Sequence, residues 1–216
     1  MTNAHVLARA QRELCGLAID RVAGWLAAPP AEHVVAQLQS ANGQAMLAAL
    51  AEEFDCAAQV QALCAALAGA SPATVALDIA VSWTRLFEGV TGAPAVSPYE
   101  SAYANEPATP NARPFGKAVD EMNDLLVRFD MSLVHPGEPS DHVAVELALY
   151  AHLLRRGDRE GMALMRGHLY AWVPALIVRC RQMDPGGFYG ASTSLLGVLL
   201  GHTPDPAPQE WSQHAE

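Results

Sequence analysis

The chain has 216 residues, 51% of them hydrophobic, with 13 Lys and Arg against 23 Asp and Glu for a formal net charge of −10. That length can bury one substantial core. The acidic balance disfavours nucleic acid and anionic membranes and favours cationic partners, and no run approaches the roughly 18 consecutive apolar residues of a membrane span.

The first residues, Met1-Thr2-Asn3-Ala4-His5, have neither the basic nor the apolar region of a secretory signal, so the expected location is cytoplasmic. Cys15, Cys56, Cys64 and Cys180 form no CxxC pair and read as reduced, mostly buried thiols.

Apolar residues Val6, Leu7, Leu14, Leu17, Ala18, Val22 and Trp25 recur at helical spacing, predicting a helix over about 5–27 that Pro29-Pro30 ends. Two or three shorter Ala- and Leu-rich helices follow through Ala68. Ser71 as N-cap and Pro72 at the first helical position open a helix that reaches about Gly89. Between Thr91 and Pro114 stand Pro94, Pro98, Pro107, Pro110 and Pro114, a loop long enough to suggest function. Helical patterning resumes over Phe115–Phe129, and His135-Pro136-Gly137 signals a turn. Three more helices are expected over Pro139–Arg156, Asp158–Met183 and Phe188–Gly201. No alternating strand or fixed-period repeat appears. The expected fold is all-α: a single helical domain over 1–202, with a proline-rich loop at about 91–114 and a flexible tail over 203–216.

Common catalytic signatures such as GxSxG, HExxH, GxxxxGK[ST] and GxGxxG are missing. Three segments stand out instead. Trp83, Leu86 and Phe87 share one helix face, a spacing that by itself reads as core. Pro98, Tyr99, Ser101 and Tyr103 place two aromatic rings in a loop, either as a peptide-gripping surface or as anchors for the loop itself. Glu138-Pro139-Ser140-Asp141-His142 reads as a helix start, with Pro139 at the first helical position and Asp141 and His142 in the first turn. Glu146 follows one turn after His142. The His142/Glu146 pair has metal-ligand spacing, with His135, His152 and His168 as available companions, but nothing else stands at a metal-site interval and no metal is expected.

In this order and at these distances, the segments Trp83–Phe87, Pro98–Tyr103 and Glu138–His142 resemble the TorD/DmsD family of redox-enzyme maturation chaperones. That family's pattern is a Tyr- or Trp-x-x-Leu-Phe helix end, a Pro-aromatic-x-Ser-x-aromatic loop and a Glu-Pro-x-Asp-His helix start. His168-Leu169-Tyr170-Ala171-Trp172 resembles its His-Leu-x-x-Trp segment, and Phe188-Tyr189 the Phe-Tyr that begins its last helix. The likeness runs over about 77–200. The stretch between Phe87 and Pro98 departs from it, being less proline-rich than in many members.

The resemblance implies a single domain of about ten helices, monomeric or a domain-swapped dimer, that is not an enzyme and holds no cofactor. Its partner would be the twin-arginine leader and apo form of a molybdopterin-containing oxidoreductase subunit, held for cofactor insertion before export. Within that reading, Trp83, Leu86, Phe87, Tyr99 and Tyr103 are expected against the leader's apolar part, and Pro98 and Ser101 are also expected to bind the leader. Asp141 is expected to take one guanidinium and Glu100 or Glu146 the other, with neutral His142 as a polar partner and Glu138 among the leader-binding residues. Three other readings compete. One is a metal-dependent helical hydrolase using His142 and Glu146. Another is a regulator with a DNA-binding motif, disfavoured because Arg9, Arg12 and Arg21 are the only cations in the first 60 residues. The third is another peptide-binding module.

Overall fold

The computed structural model describes residues 3–69, 71–89, 92–103, 116–133 and 137–202. Half of the predicted proline-rich loop (Pro107, Pro110 and Pro114 included), His135 and the predicted tail lie outside the described residues. Helix α1 (Asn3–Ala27) runs into Pro29-Pro30, and three shorter helices follow: α2 (Glu32–Gln39), α3 (Ala41–Glu53) and α4 (Ala57–Leu67). Ser40 separates α2 from α3 by accepting from Gly43 N at 3.1 Å through its hydroxyl. Ser71 caps α5 (Pro72–Trp83) in the same way, accepting from Thr74 N at 3.2 Å ahead of Pro72.

The predicted helix to Gly89 changes character at Thr84, where α5 passes into a π-helical turn, Thr84–Glu88. After the loop come α6 (Gly116–Arg128), α7 (Val143–Arg156), α8 (Arg159–Met183) and α9 (Phe188–His202). Gly157, at φ +68°, closes α7, and Asp158 opens α8 by accepting from Gly161 N at 2.9 Å. These nine α-helices, with no strand among the described residues, give the all-α architecture expected.

Helix α7 is the centre. Val143, Leu147, Leu149, Tyr150, Ala151, Leu153 and Leu154 are all buried, so it is apolar nearly all round rather than along one stripe. Helix α1 lies along it, α8 packs on both α7 and α9, α4 covers α9, and α2 rests on α5. An aromatic chain joins these layers: Trp25 meets Phe188, Phe188 meets Tyr189, and Tyr189 meets Phe87, all edge-to-face at 5.1–5.2 Å. Among the described residues, no single helix is long and apolar enough to cross a membrane.

Candidate functional site

The π-turn decides which side chains of the first motif face outward. A wide turn rotates the residues after it relative to a continuous α-helix. Leu86 is fully buried, with its carbonyl accepting from Val96 N at 2.9 Å, and Phe87 is buried against Tyr189. Trp83 is only partly buried, its indole N–H donating to Leu26 O at 3.2 Å. The turn is pinned from outside: Arg85 donates to Met183 O at 3.0 Å and to Asp184 Oδ1 at 3.2 Å. Gly89 ends it at φ +67°, where a Cβ would strike the backbone of Gly92 and Pro94.

The second and third motifs are joined by backbone pairing. Tyr99 and His142 form an isolated antiparallel bridge, in which Glu100 N donates to Asp141 O at 3.0 Å and Val143 N to Pro98 O at 2.8 Å. This pairing draws Asp141 and His142 out of the helix, so the predicted start at Pro139 is corrected: α7 begins at Val143 with His142 as its N-cap. The imidazole Nδ1 accepts from Ala144 N at 3.1 Å, which requires that nitrogen to carry no proton. Burial lowers the His142 pKa, partly offset by the Glu138 and Asp141 carboxylates. Residues 97–103 therefore form a strap laid across the start of α7, ending in a 3-10 turn, Glu100–Ala102. Tyr103 stacks against Trp172 at 5.4 Å and donates its hydroxyl to Ser97 O at 2.9 Å, closing the strap on itself.

On one side of the strap lies a cleft of about 770 Å³. Trp83, Phe87, Pro98, Tyr99 and His142 line it, together with Leu126, Met131, Leu133, Val145 and Ala148. Two exposed carboxylates, Glu88 and Glu138, stand among these lining residues, and Glu138 accepts the Tyr99 hydroxyl at 2.9 Å. The walls are apolar and aromatic, and the charge is negative.

Behind the strap lies a buried polar cluster. Asp141, fully buried, accepts from Ser101 N at 3.2 Å. Glu146, also fully buried, accepts from the Trp172 indole at 2.9 Å. His168 Nε2 lies 3.1 Å from Glu100 Oε2 and 3.5 Å from Glu146 Oε2. Both are ion pairs between the imidazole and a carboxylate. Burial pushes the Glu146 carboxyl up to about 7, against the pull of His168 and Trp172. Burial also acts to lower the His168 pKa, but the two carboxylates outweigh it and bring it to about 10.

The predicted site residues thus divide into three places. Trp83, Phe87, Pro98, Tyr99, Glu138 and His142 line the cleft. Leu86 belongs to the core beneath it. Ser101, Tyr103, Asp141 and Glu146 are not among the residues lining the cleft and lie with the strap and its contacts. Sequence reasoning missed Met131 and Leu133, which follow α6 in a stretch that read only as a break, and the pairing of Glu100 with His168. The His-Leu-x-x-Trp segment was the one available signal for His168 and Trp172. Among the described residues, the group that brings potential ligand atoms together around Glu146 is Glu100, Glu146 and His168, without His142, whose Nδ1 caps α7.

Residues 51–178 match the protein family described as nitrate reductase delta subunit. The chain is 30% identical over 164 residues to the chaperone protein TorD of Shewanella piezotolerans, covering 74% of this chain and 76% of that protein. The chain belongs to the TorD/DmsD-type family of redox-enzyme maturation chaperones. It is also 39% identical over 122 residues to the TorD of Aeromonas salmonicida, spanning 49% of this chain and 51% of that relative. With the TorD of Escherichia coli O139:H28 it shares 33% identity over 135 residues, 57% of this chain and 61% of the relative. All three relatives are named chaperones, so the TorD-type assignment carries the expectation that the chain is not an enzyme. The family match contains the π-turn, the strap, the start of α7 and His168, the parts that build the cleft and the cluster behind it.

Proposed function

We propose that this chain is a cytoplasmic, system-specific chaperone that binds the twin-arginine leader of a molybdopterin-containing oxidoreductase subunit and holds the apo-subunit for cofactor insertion before export. The observation that carries this reading is the cleft: aromatic and aliphatic walls with two exposed carboxylates, Glu88 and Glu138, among them. A twin-arginine leader offers the complement, two guanidinium groups followed by an apolar, helix-forming stretch. Apolar side chains of a helix dock into such a groove at helical spacing, while carboxylates and aromatic faces take guanidinium groups. The net charge of −10 adds long-range attraction for a cationic segment.

In this reading Trp83, Phe87, Pro98, Tyr99 and His142 contact the leader's apolar part, and Glu138 with Glu88 takes its arginines. Asp141, Ser101, Tyr103 and Glu146 act as positioning residues, holding the strap that forms one wall. Leu86 supports Phe87 from the core.

The test is co-purification of the tagged chain from its native host, with mass spectrometry of what it retains, repeated with a Trp83→Ala/Glu138→Gln variant. Support is recovery of a molybdoenzyme subunit with its twin-arginine leader attached, and its loss in the variant. Retention of a partner without such a leader, or equal retention by the variant, defeats the proposal.

A further inference from the structure

Among the described residues, three of the buried side-chain polar atoms that lack a hydrogen-bond partner come from one cluster: Glu100 Oε2, Glu146 Oε1 and His168 Nε2. Native proteins satisfy nearly all such atoms, and each exception needs a reason. These residues also set one potential ligand atom apiece within 4.8 Å of one another. His168 Nε2 lies 3.1 Å from Glu100 Oε2 and 3.5 Å from Glu146 Oε2, the oxygen that also accepts from the Trp172 indole. Donor atoms on a tetrahedral ion with bonds of about 2.0–2.2 Å lie roughly 3.3–3.6 Å apart, close to the spacing here.

We propose that Glu100, Glu146 and His168 form a site for one divalent transition-metal ion of the Zn2+ class, with water completing its coordination. One imidazole and two carboxylates suit borderline ions, whereas Mg2+ and Ca2+ take all-oxygen sites and soft ions take thiolates. Trp172 supplies the outer support that such sites use, its indole N–H fixing Glu146 through Oε2 while Oε1 has no other partner. Glu146 is fully buried, and Glu100 and His168 keep 16% and 14% side-chain exposure, leaving a path for the ion and its water. The three ligands come from the strap, α7 and α8, so the ion ties the strap to the bundle. From sequence no metal was expected, and the helical spacing of His142 with Glu146 is not part of this site. This site does not depend on the leader-binding reading.

The experiment is titration of the chelator-stripped full-length chain with Co2+, followed by its visible d–d absorption and by displacement with Zn2+. One equivalent is expected, with the bands of a low-symmetry nitrogen–oxygen site. Glu100→Gln, in the strap and outside the helical core, should weaken Co2+ binding at least tenfold while helix content stays unchanged. Trp172→Phe should weaken it by about 10- to 100-fold, and His168→Gln should abolish it. Absence of saturable binding by the wild-type chain overturns the proposal and leaves the three atoms to a bound water. Equal binding by wild type and Glu100→Gln also overturns it, by placing the ion elsewhere.

Discussion

The rings of Tyr99 and His142 meet edge-to-face at 5.1 Å, and the same two residues pair through their backbones in an antiparallel bridge. One contact therefore joins two distant motifs and sets two surfaces at once. Outward, it forms a wall of the cleft; inward, it closes over Asp141, Glu146 and His168. The chemistry of the strap and that of the helix start are accordingly inseparable.

Asp141 should act through the strap. Its fully buried carboxylate accepts the Ser101 amide N–H, and removing it leaves that donor without a charged partner. Asp141→Ala is expected to lower unfolding stability by about 1.5–3 kcal/mol, the range for a hydrogen bond to a charged group, with a smaller loss in Asp141→Asn. Denaturant unfolding of the three proteins measures this. Equal stability of all three would show that the strap is held without Asp141.

His142 should make the fold acid-sensitive. Its folded pKa lies below the ordinary value of about 6.5, because burial disfavours the imidazolium and Nδ1 must stay unprotonated to cap α7. The folded state therefore binds fewer protons than the unfolded one. Stability from this group is fully present above the unfolded pKa and is lost as pH falls through the depressed folded value. The charged groups beside it, Glu138 and Asp141, reduce this loss without reversing it. Chemical denaturation of wild type and His142→Asn across pH 5–8 provides the check. Asparagine keeps an N-cap acceptor and does not titrate, so the stability of the variant should fall less steeply on the acid side.

Much of the fold was legible because local chemistry and tertiary structure agree, as at Ser71-Pro72, Gly157-Asp158 and Pro29-Pro30. The misreadings occur where distant contacts override a local signal. Pro139 looks like the first residue of a helix, but pairing with Pro98 and Glu100 holds Asp141 in a turn and His142 extended, and the helix waits until Val143. The π-turn is pinned by Arg85 to Asp184, a partner that no helical periodicity specifies. The three motifs located six of the residues that line the cleft. Met131 and Leu133 escaped because they follow a helix without belonging to one, and Glu100 with His168 because non-local pairing leaves no spacing to read.

Residues of the Trp83–Phe87 motif should differ in how far their loss unfolds the protein. Trp83 is partly exposed at the cleft, whereas Leu86 is fully buried and Phe87 nearly so. Leu86→Ala and Phe87→Ala are expected to cost about 2–5 and 3–5 kcal/mol of stability. Any change in leader binding would then be hard to separate from unfolding. Trp83→Phe keeps much of the apolar wall and loses only the hydrogen bond to Leu26 O, worth about 0.5–1.5 kcal/mol. Calorimetry with a leader peptide on folded Trp83→Ala should show weakened affinity with little loss from Trp83→Phe; equal affinity of all three would remove Trp83 from the site.

Asp184 should prove a structural keystone away from the cleft. Its Oδ2 accepts from Tyr189 N at 3.0 Å and Gly190 N at 3.3 Å, capping α9, while Oδ1 takes Arg85 from the π-turn. Asp184→Ala removes a helix cap and the anchor of that turn together, and a loss of about 1–3 kcal/mol is expected. Arg85 is half exposed, so its own share is small. Thermal and denaturant unfolding should accordingly show Arg85→Ala well above Asp184→Ala in stability, and the reverse order would contradict this assignment.

The rim carboxylates should govern how fast a cationic leader is captured. Glu88 and Glu138 are both exposed, so their attraction for arginine works through solvent and is screened by salt, with a Debye length of about 8 Å at physiological ionic strength. Charges placed this way change association rates more than dissociation rates. The Glu88→Gln/Glu138→Gln variant should therefore bind a twin-arginine leader more slowly than wild type at low salt, and the two proteins should converge as salt rises. Stopped-flow association of a fluorescent leader peptide across a salt series reads both quantities. If the variant matched wild type at low salt, the guanidinium partners would have to be carboxylates beneath the strap, and capture would require the Tyr99–His142 pairing to open.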